Sequence, residues 1–144
     1  MSHYFAALFC SIAIMLVAPA RGNECASSGY AKEPVCRISM IRLISDPERY
    51  DRKLVSFTGV VRFIPDAGVE IYYSNESFQE QQSVEAVYVK STVIGNFFSD
   101  ASTGDRVNVI GRFNVAVPST DAGPHFGNIT ELLITVRNSG PANL

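Results

Sequence analysis

Apolar residues change their spacing several times along this chain, and each change marks an element. From Tyr4 to Val17 nearly every position is apolar, and the run ends at Ala18-Pro19-Ala20. Between Arg37 and Ile44 the spacing is helical: Ile38 and Ile41 share a face, and Ile44 follows three residues on. Asp46-Pro47 then breaks the pattern. Ser45 or Asp46 is placed to cap one more turn, Pro47 to Tyr50, with Tyr50 packed inward.

From Lys53 to Ile64 the period changes to two. Val55, Phe57, Gly59, Val61 and Phe63 share one face, and Leu54, Ser56, Thr58, Val60 and Arg62 share the other. That is the signature of a half-buried strand. Pro65-Asp66-Ala67-Gly68 supplies turn chemistry, so Val69 to Ser74 completes a hairpin. Asn75 to Gln82 is polar and anchored only by Phe78, a loop or a short helix. Val84 to Lys90 reads as a third strand, Asp105 to Val117 as a fourth and Ile129 to Val136 as a fifth. Gly95 to Gly104, with Phe97 and Phe98, reads as a short helix across one end of the sheet. Pro118 to Gly127 is a loop rich in proline and glycine.

The first and fourth strands echo one another. Leu54 to Phe63 matches Arg106 to Val115 apolar for apolar along one face, and Gly59 falls on Gly111. A glycine inside a strand marks a bulge or a bend, and long strands that coil around a small barrel need such bends. The expected fold is therefore mainly β: a five-stranded OB-like barrel with an N-terminal helix and one short additional helix. A plain open antiparallel sheet with a helix on it is the alternative.

The expected organisation is a signal peptide at 1–20, an extended arm at 21–37, the barrel at 38–137 and a flexible tail at 138–144. The apolar run is too short to cross a membrane and ends in a small-x-small cleavage pattern. Its n-region carries no Lys or Arg. Glu24 before Cys25 is wrong for a lipoprotein signal, so a soluble exported protein, periplasmic or secreted, is expected. Export removes Cys10 and leaves Cys25 and Cys36, an even pair in an oxidising compartment. A bridge between them closes a loop of about a dozen residues and stabilises by roughly 2–4 kcal/mol.

All 12 basic and all 14 acidic residues lie beyond residue 20, with no basic run or stripe. Nucleic-acid binding and polybasic membrane docking are not expected.

Residues 39 to 59 include a Pro47-Glu48-Arg49-Tyr50 turn, then Lys53-Leu54-Val55 and a strand reaching Gly59. Together with Ile71-Tyr72-Tyr73-Ser74, Ala86-Val87-Tyr88-Val89 and Gly123 to Ile129, this resembles a group of small uncharacterised exported bacterial proteins. The likeness covers about residues 38 to 136. It implies an OB-like barrel and export, and it carries no activity or site residues. It departs at Arg52, where a glycine is typical.

No catalytic or metal-binding motif stands out, and no cofactor is implied. Once the signal is gone, His125 is the remaining histidine, with no nucleophile motif around it. Metal sites of His and Cys type need three or four ligands, and Asp100, Asp105 and Asp121 are too scattered for a calcium loop. Glu70, Glu76, Glu80 and Glu85 offer carboxylates for a glycosidase-type pair. Asn75-Glu76-Ser77 and Asn128-Ile129-Thr130 match the glycosylation pattern by chance. OB barrels bind ligands on one sheet face and its flanking loops. Arg62, Tyr72, Tyr88 and His125 fall there and are the candidate ligand contacts. The expected function is an exported non-enzymatic binding module for a protein, peptide or envelope component. The alternatives are an envelope-polymer hydrolase with a carboxylate pair and a periplasmic inhibitor or immunity-like protein.

Overall fold

A computed structural model describes residues 24–29, 31–115 and 124–137; the apolar N-terminal run and the 138–144 segment lie outside them. Among the described residues seven strands form one sheet. They are β1 (Cys25–Ser28), β2 (Ala31–Arg37), β3 (Leu54–Ile64), β4 (Gly68–Tyr72), β5 (Ala86–Lys90), β6 (Arg106–Val115) and β7 (Gly127–Arg137). The described residues also form three short α-helices, α1 (Met40–Ser45), α2 (Asn75–Gln79) and α3 (Ser91–Ile94).

The last five strands close on themselves. β3 pairs with β4, β4 with β5, β5 with β7, β7 with β6, and β6 returns to β3 from Leu54 opposite Arg112 to Val60 opposite Arg106. Only the β5–β7 contact in this circuit is parallel. This strand order, with α3 after the third barrel strand, is that of an OB barrel. The alternation read from the sequence sets its inside. Val55, Phe57, Val61, Val69, Ile71, Val87, Val89, Val107, Val109, Phe113 and Ile129 fill the interior. Burying each aliphatic side chain contributes about 1.5–3 kcal/mol.

β3 changes partners just after Gly59: it pairs with β6 from Leu54 to Val60 and with β4 from Val60 to Ile64. A Cβ on Gly59 would lie 2.5 Å from Ile71 Cγ2 and 2.6 Å from the Tyr72 carbonyl oxygen, so the close approach of β3 to β4 requires glycine here. Its echo, Gly111, sits at a register shift between β6 and β7.

Three expectations change in detail. The 21–37 arm is not merely extended: β1 and β2 pair antiparallel, and β2 runs parallel to the start of β3, adding two strands to the sheet. Cys25 lies opposite Cys36 in this hairpin, and the two are disulfide-bonded. Arg112 fastens the hairpin to the barrel through two hydrogen bonds of 3.1 Å to Glu33, one of 3.0 Å to Glu131 and one of 3.0 Å to the Arg52 carbonyl. The helix expected within 95–104 lies earlier, at α3, because the chain turns at Gly95 with φ +48°. Phe98 nevertheless reaches the core and meets Phe63 edge-on. Finally, Asp46 precedes the Pro47–Tyr50 turn but makes no side-chain capping bond. Tyr50 is buried as expected.

α1 is capped by Ser39, whose Oγ accepts from the Arg42 amide at 3.3 Å. It buries Met40 and Leu43 and leaves Ile41 in solvent. α2 is capped by Ser74 and lays Phe78 edge-on against Tyr72, covering the outer face of β4.

Candidate functional site

Period-two alternation sends Val69 and Ile71 into the barrel, so Glu70 and Tyr72 point outward from β4. Cross-strand pairing then sets Arg62 of β3 and Tyr88 of β5 directly beside Glu70. Arg62, Tyr72, Tyr88 and His125, the four candidate contacts, are thus brought together, and Glu70 is their hub. The signal for it was present in the sequence: a carboxylate in register with Arg62, on a strand of otherwise apolar and aromatic residues.

Glu70 is 1% exposed. Tyr72 Oη donates to its Oε2 at 2.6 Å, and Ser83 Oγ donates to Oε1 at 2.9 Å. His125 Nε2 lies 2.8 Å from the same Oε1. Arg62 stands 3.6 Å from Oε2 and 3.5 Å from Tyr72 Oη. Burial alone would raise the Glu70 carboxyl. Hydrogen bonds from His125, Tyr72 and Ser83, with the charge of His125, outweigh it and hold the group below its ordinary value. Tyr72 is pushed up by burial and by its bond to Glu70.

This arrangement differs from a nucleophile–base pair. Such a pair needs the serine hydroxyl on a histidine nitrogen, whereas here Ser83 and His125 both bond the carboxylate. The His125 ring stacks on Tyr88 at 5.1 Å, and Tyr88 Oη donates to the Ala67 carbonyl at 2.7 Å. Tyr72 is fully buried and Tyr88 nearly so. α2 and the residues just before β7 therefore close this face with the chain's own side chains. Of the other carboxylates proposed for a pair, Glu85 accepts from Ser77 Oγ at 2.6 Å. Among the described residues no three His, Cys, Asp or Glu side chains cluster as a metal site.

An open concavity lies elsewhere. A groove of about 1240 Å³ runs between the β1–β2 hairpin, α1 and the outer faces of β3 and β6. Ser56, Thr58 and Asn108 form its floor, and Arg37 and Arg106 reach it from β2 and β6. Ile41 and Val136, 65% and 53% exposed, add apolar surface. Glu24 lies at one margin, where Tyr50 Oη donates to it at 2.8 Å and Arg42 and Arg49 pair with it. The Tyr50 bond, with those arginines, holds the Glu24 carboxyl low. Sequence reading did not find this groove, because one of its walls is the hairpin, and the polar 23–34 segment carries no alternating pattern that announces strands.

No family model and no curated protein matches the chain. Among solved structures, a DUF3299 family protein from Pseudomonas aeruginosa PAO1 is similar at TM-score 0.44 and 11% identity, over 64% of this chain and 65% of that one. An Entamoeba histolytica asparaginyl-tRNA synthetase in complex with asparaginyl-adenylate is similar at TM-score 0.42 and 12% identity, over 72% of this chain and 23% of that one. Both likenesses are partial, and the fold assignment rests on the strand pairings.

Proposed function

We propose that the protein is an exported, non-enzymatic binding module, periplasmic or secreted, whose ligand lies in the groove between the hairpin and the barrel. The groove is the observation that carries this reading. It is concave, solvent-facing and lined by both polar and apolar groups, as recognition sites are. The polar cluster at Glu70, by contrast, is occupied by internal partners and holds the opposite face shut. The Cys25–Cys36 bridge is compatible with export, and no helix among the described residues is long and apolar enough to cross a membrane.

A photo-crosslinking residue placed at Ile41 tests the proposal, with Phe97 as the exposed control outside the groove. Irradiation of the protein in the exported fraction of its host should give one stoichiometric adduct from Ile41 and none from Phe97. Equal labelling from both positions, or no adduct at Ile41, overturns the assignment of the groove.

A further inference from the structure

Granting that the groove is the ligand site, we infer that its ligand is an acidic polypeptide segment bound in extended form. Three observations converge on this chemistry.

The first is charge. Arg37 and Arg106 line the groove, both are exposed, and among the described residues neither makes an ion pair. The acid at the margin, Glu24, is already neutralised by Arg42 and Arg49. The groove is therefore locally cationic on a chain whose formal net charge is −2.

The second is the floor. Ser56 Oγ donates to Asn108 Oδ1 at 3.3 Å, which commits that oxygen and leaves the amide NH2 of this groove residue to donate. Thr58 adds a hydroxyl beside it. Guanidinium, amide and hydroxyl donors are the set that receives carboxylates.

The third is spacing. Arg37 pairs with Ser56 and Arg106 with Val60, so the two cations are anchored four residues apart along β3. They sit on opposite edges of β3, two strand spacings apart, so about 13 Å along the strand and about 10 Å across it separate their anchors by about 16 Å, which an extended peptide spans in about five residues. Ile41 and Val136 offer the aliphatic contacts that a peptide's apolar side chains use and that a carboxylated polysaccharide does not.

Selection of random dodecapeptides on the purified, disulfide-intact protein tests the inference. Selected sequences should be enriched in Asp or Glu at positions about four to six apart. Their binding should weaken about tenfold in Arg37→Gln and in Arg106→Gln, as loss of a charge-assisted contact implies, and weaken in high salt. Arg52→Gln, an exposed cation outside the groove, should leave binding unchanged. Peptides that lose binding in Ile41→Glu but show no acidic enrichment would overturn the ligand class and leave the groove assignment standing. Absence of any enriched peptide overturns the ligand class, and the Ile41 crosslink then decides the groove separately.

Discussion

His125 and Glu70 stand 55 residues apart in the chain and 2.8 Å apart in the structure. Their contact ties the residues just before β7 to the middle of β4, on a face that an OB barrel commonly leaves for ligand. A hydrogen bond to a buried charged group contributes about 1.5–3 kcal/mol. His125→Ala should therefore lower unfolding stability by about that amount in urea titrations. A change within experimental error would show that the contact does not hold the loop.

Acid should act through Glu70. Its carboxyl is held below the ordinary value of 4.5, so its contribution is complete above about pH 4.5 and is lost as pH falls through the lowered folded-state value. Glu70→Gln removes that titration while Glu24, Glu33 and Glu76, also held low, remain in both proteins. Between pH 7 and pH 3 the natural protein should lose more stability than Glu70→Gln does. Equal losses would place the acid sensitivity elsewhere.

Arg52 has φ +60°, in the left-handed region that favours glycine. That conformation costs a residue with a Cβ about 1–2 kcal/mol, partly offset by the greater unfolded-state entropy of glycine. The side chain is 83% exposed and pairs only loosely with Asp51 at 3.4 Å. Arg52→Gly should raise stability by about 0.5–1 kcal/mol and Arg52→Val should lower it. A destabilised glycine variant would mean that the exposed ion pair outweighs the backbone.

Gly59→Val should destabilise by about 2–3 kcal/mol, because the added Cβ meets Ile71 and the Tyr72 carbonyl and the β-branched side chain cannot retreat within the strand. An unchanged melting temperature would show that β3 and β4 separate there without cost.

Expression of the whole chain in an exporting bacterial host should give a product cleaved near Ala20 and two hydrogens lighter than its reduced mass. Replacing both Cys25 and Cys36 by Ala should cost about 2–3 kcal/mol for a loop of this length. A product retaining residues 1–20, or one with two free thiols, contradicts the expected processing.

Much of the barrel was legible in the chain. Leu54 to Ile64 and Arg106 to Val115 alternate cleanly because each strand has one face in the core, and Gly59 interrupts the pattern where β3 lies close against β4. The short elements were less legible. Ser91–Ile94 is one helical turn, too brief for a 3.6-residue period to register, and Phe98 drew the expected helix toward itself by its need for burial. The hairpin was harder still: Ala31–Arg37 presents mostly exposed residues, since its stability comes from the disulfide, the parallel contact with β3 and the Arg112 bonds.

What the sequence by itself determined is local: strand periods, turns and the even cysteine pair, each written in residues close together in the chain. The tertiary structure alone decided which strands are neighbours. It turned Glu70, one surface-like carboxylate among several, into a buried hub, because its donors come from β4, the connection before β5, and a loop 55 residues away. It also opened the groove, whose walls, Arg37 on the hairpin and Arg106 on the barrel, face one another only after β3 has taken β2 on one edge and β6 on the other. Side-chain alternation says which way a residue points relative to its own strand. Only closure of the sheet determines what it meets there.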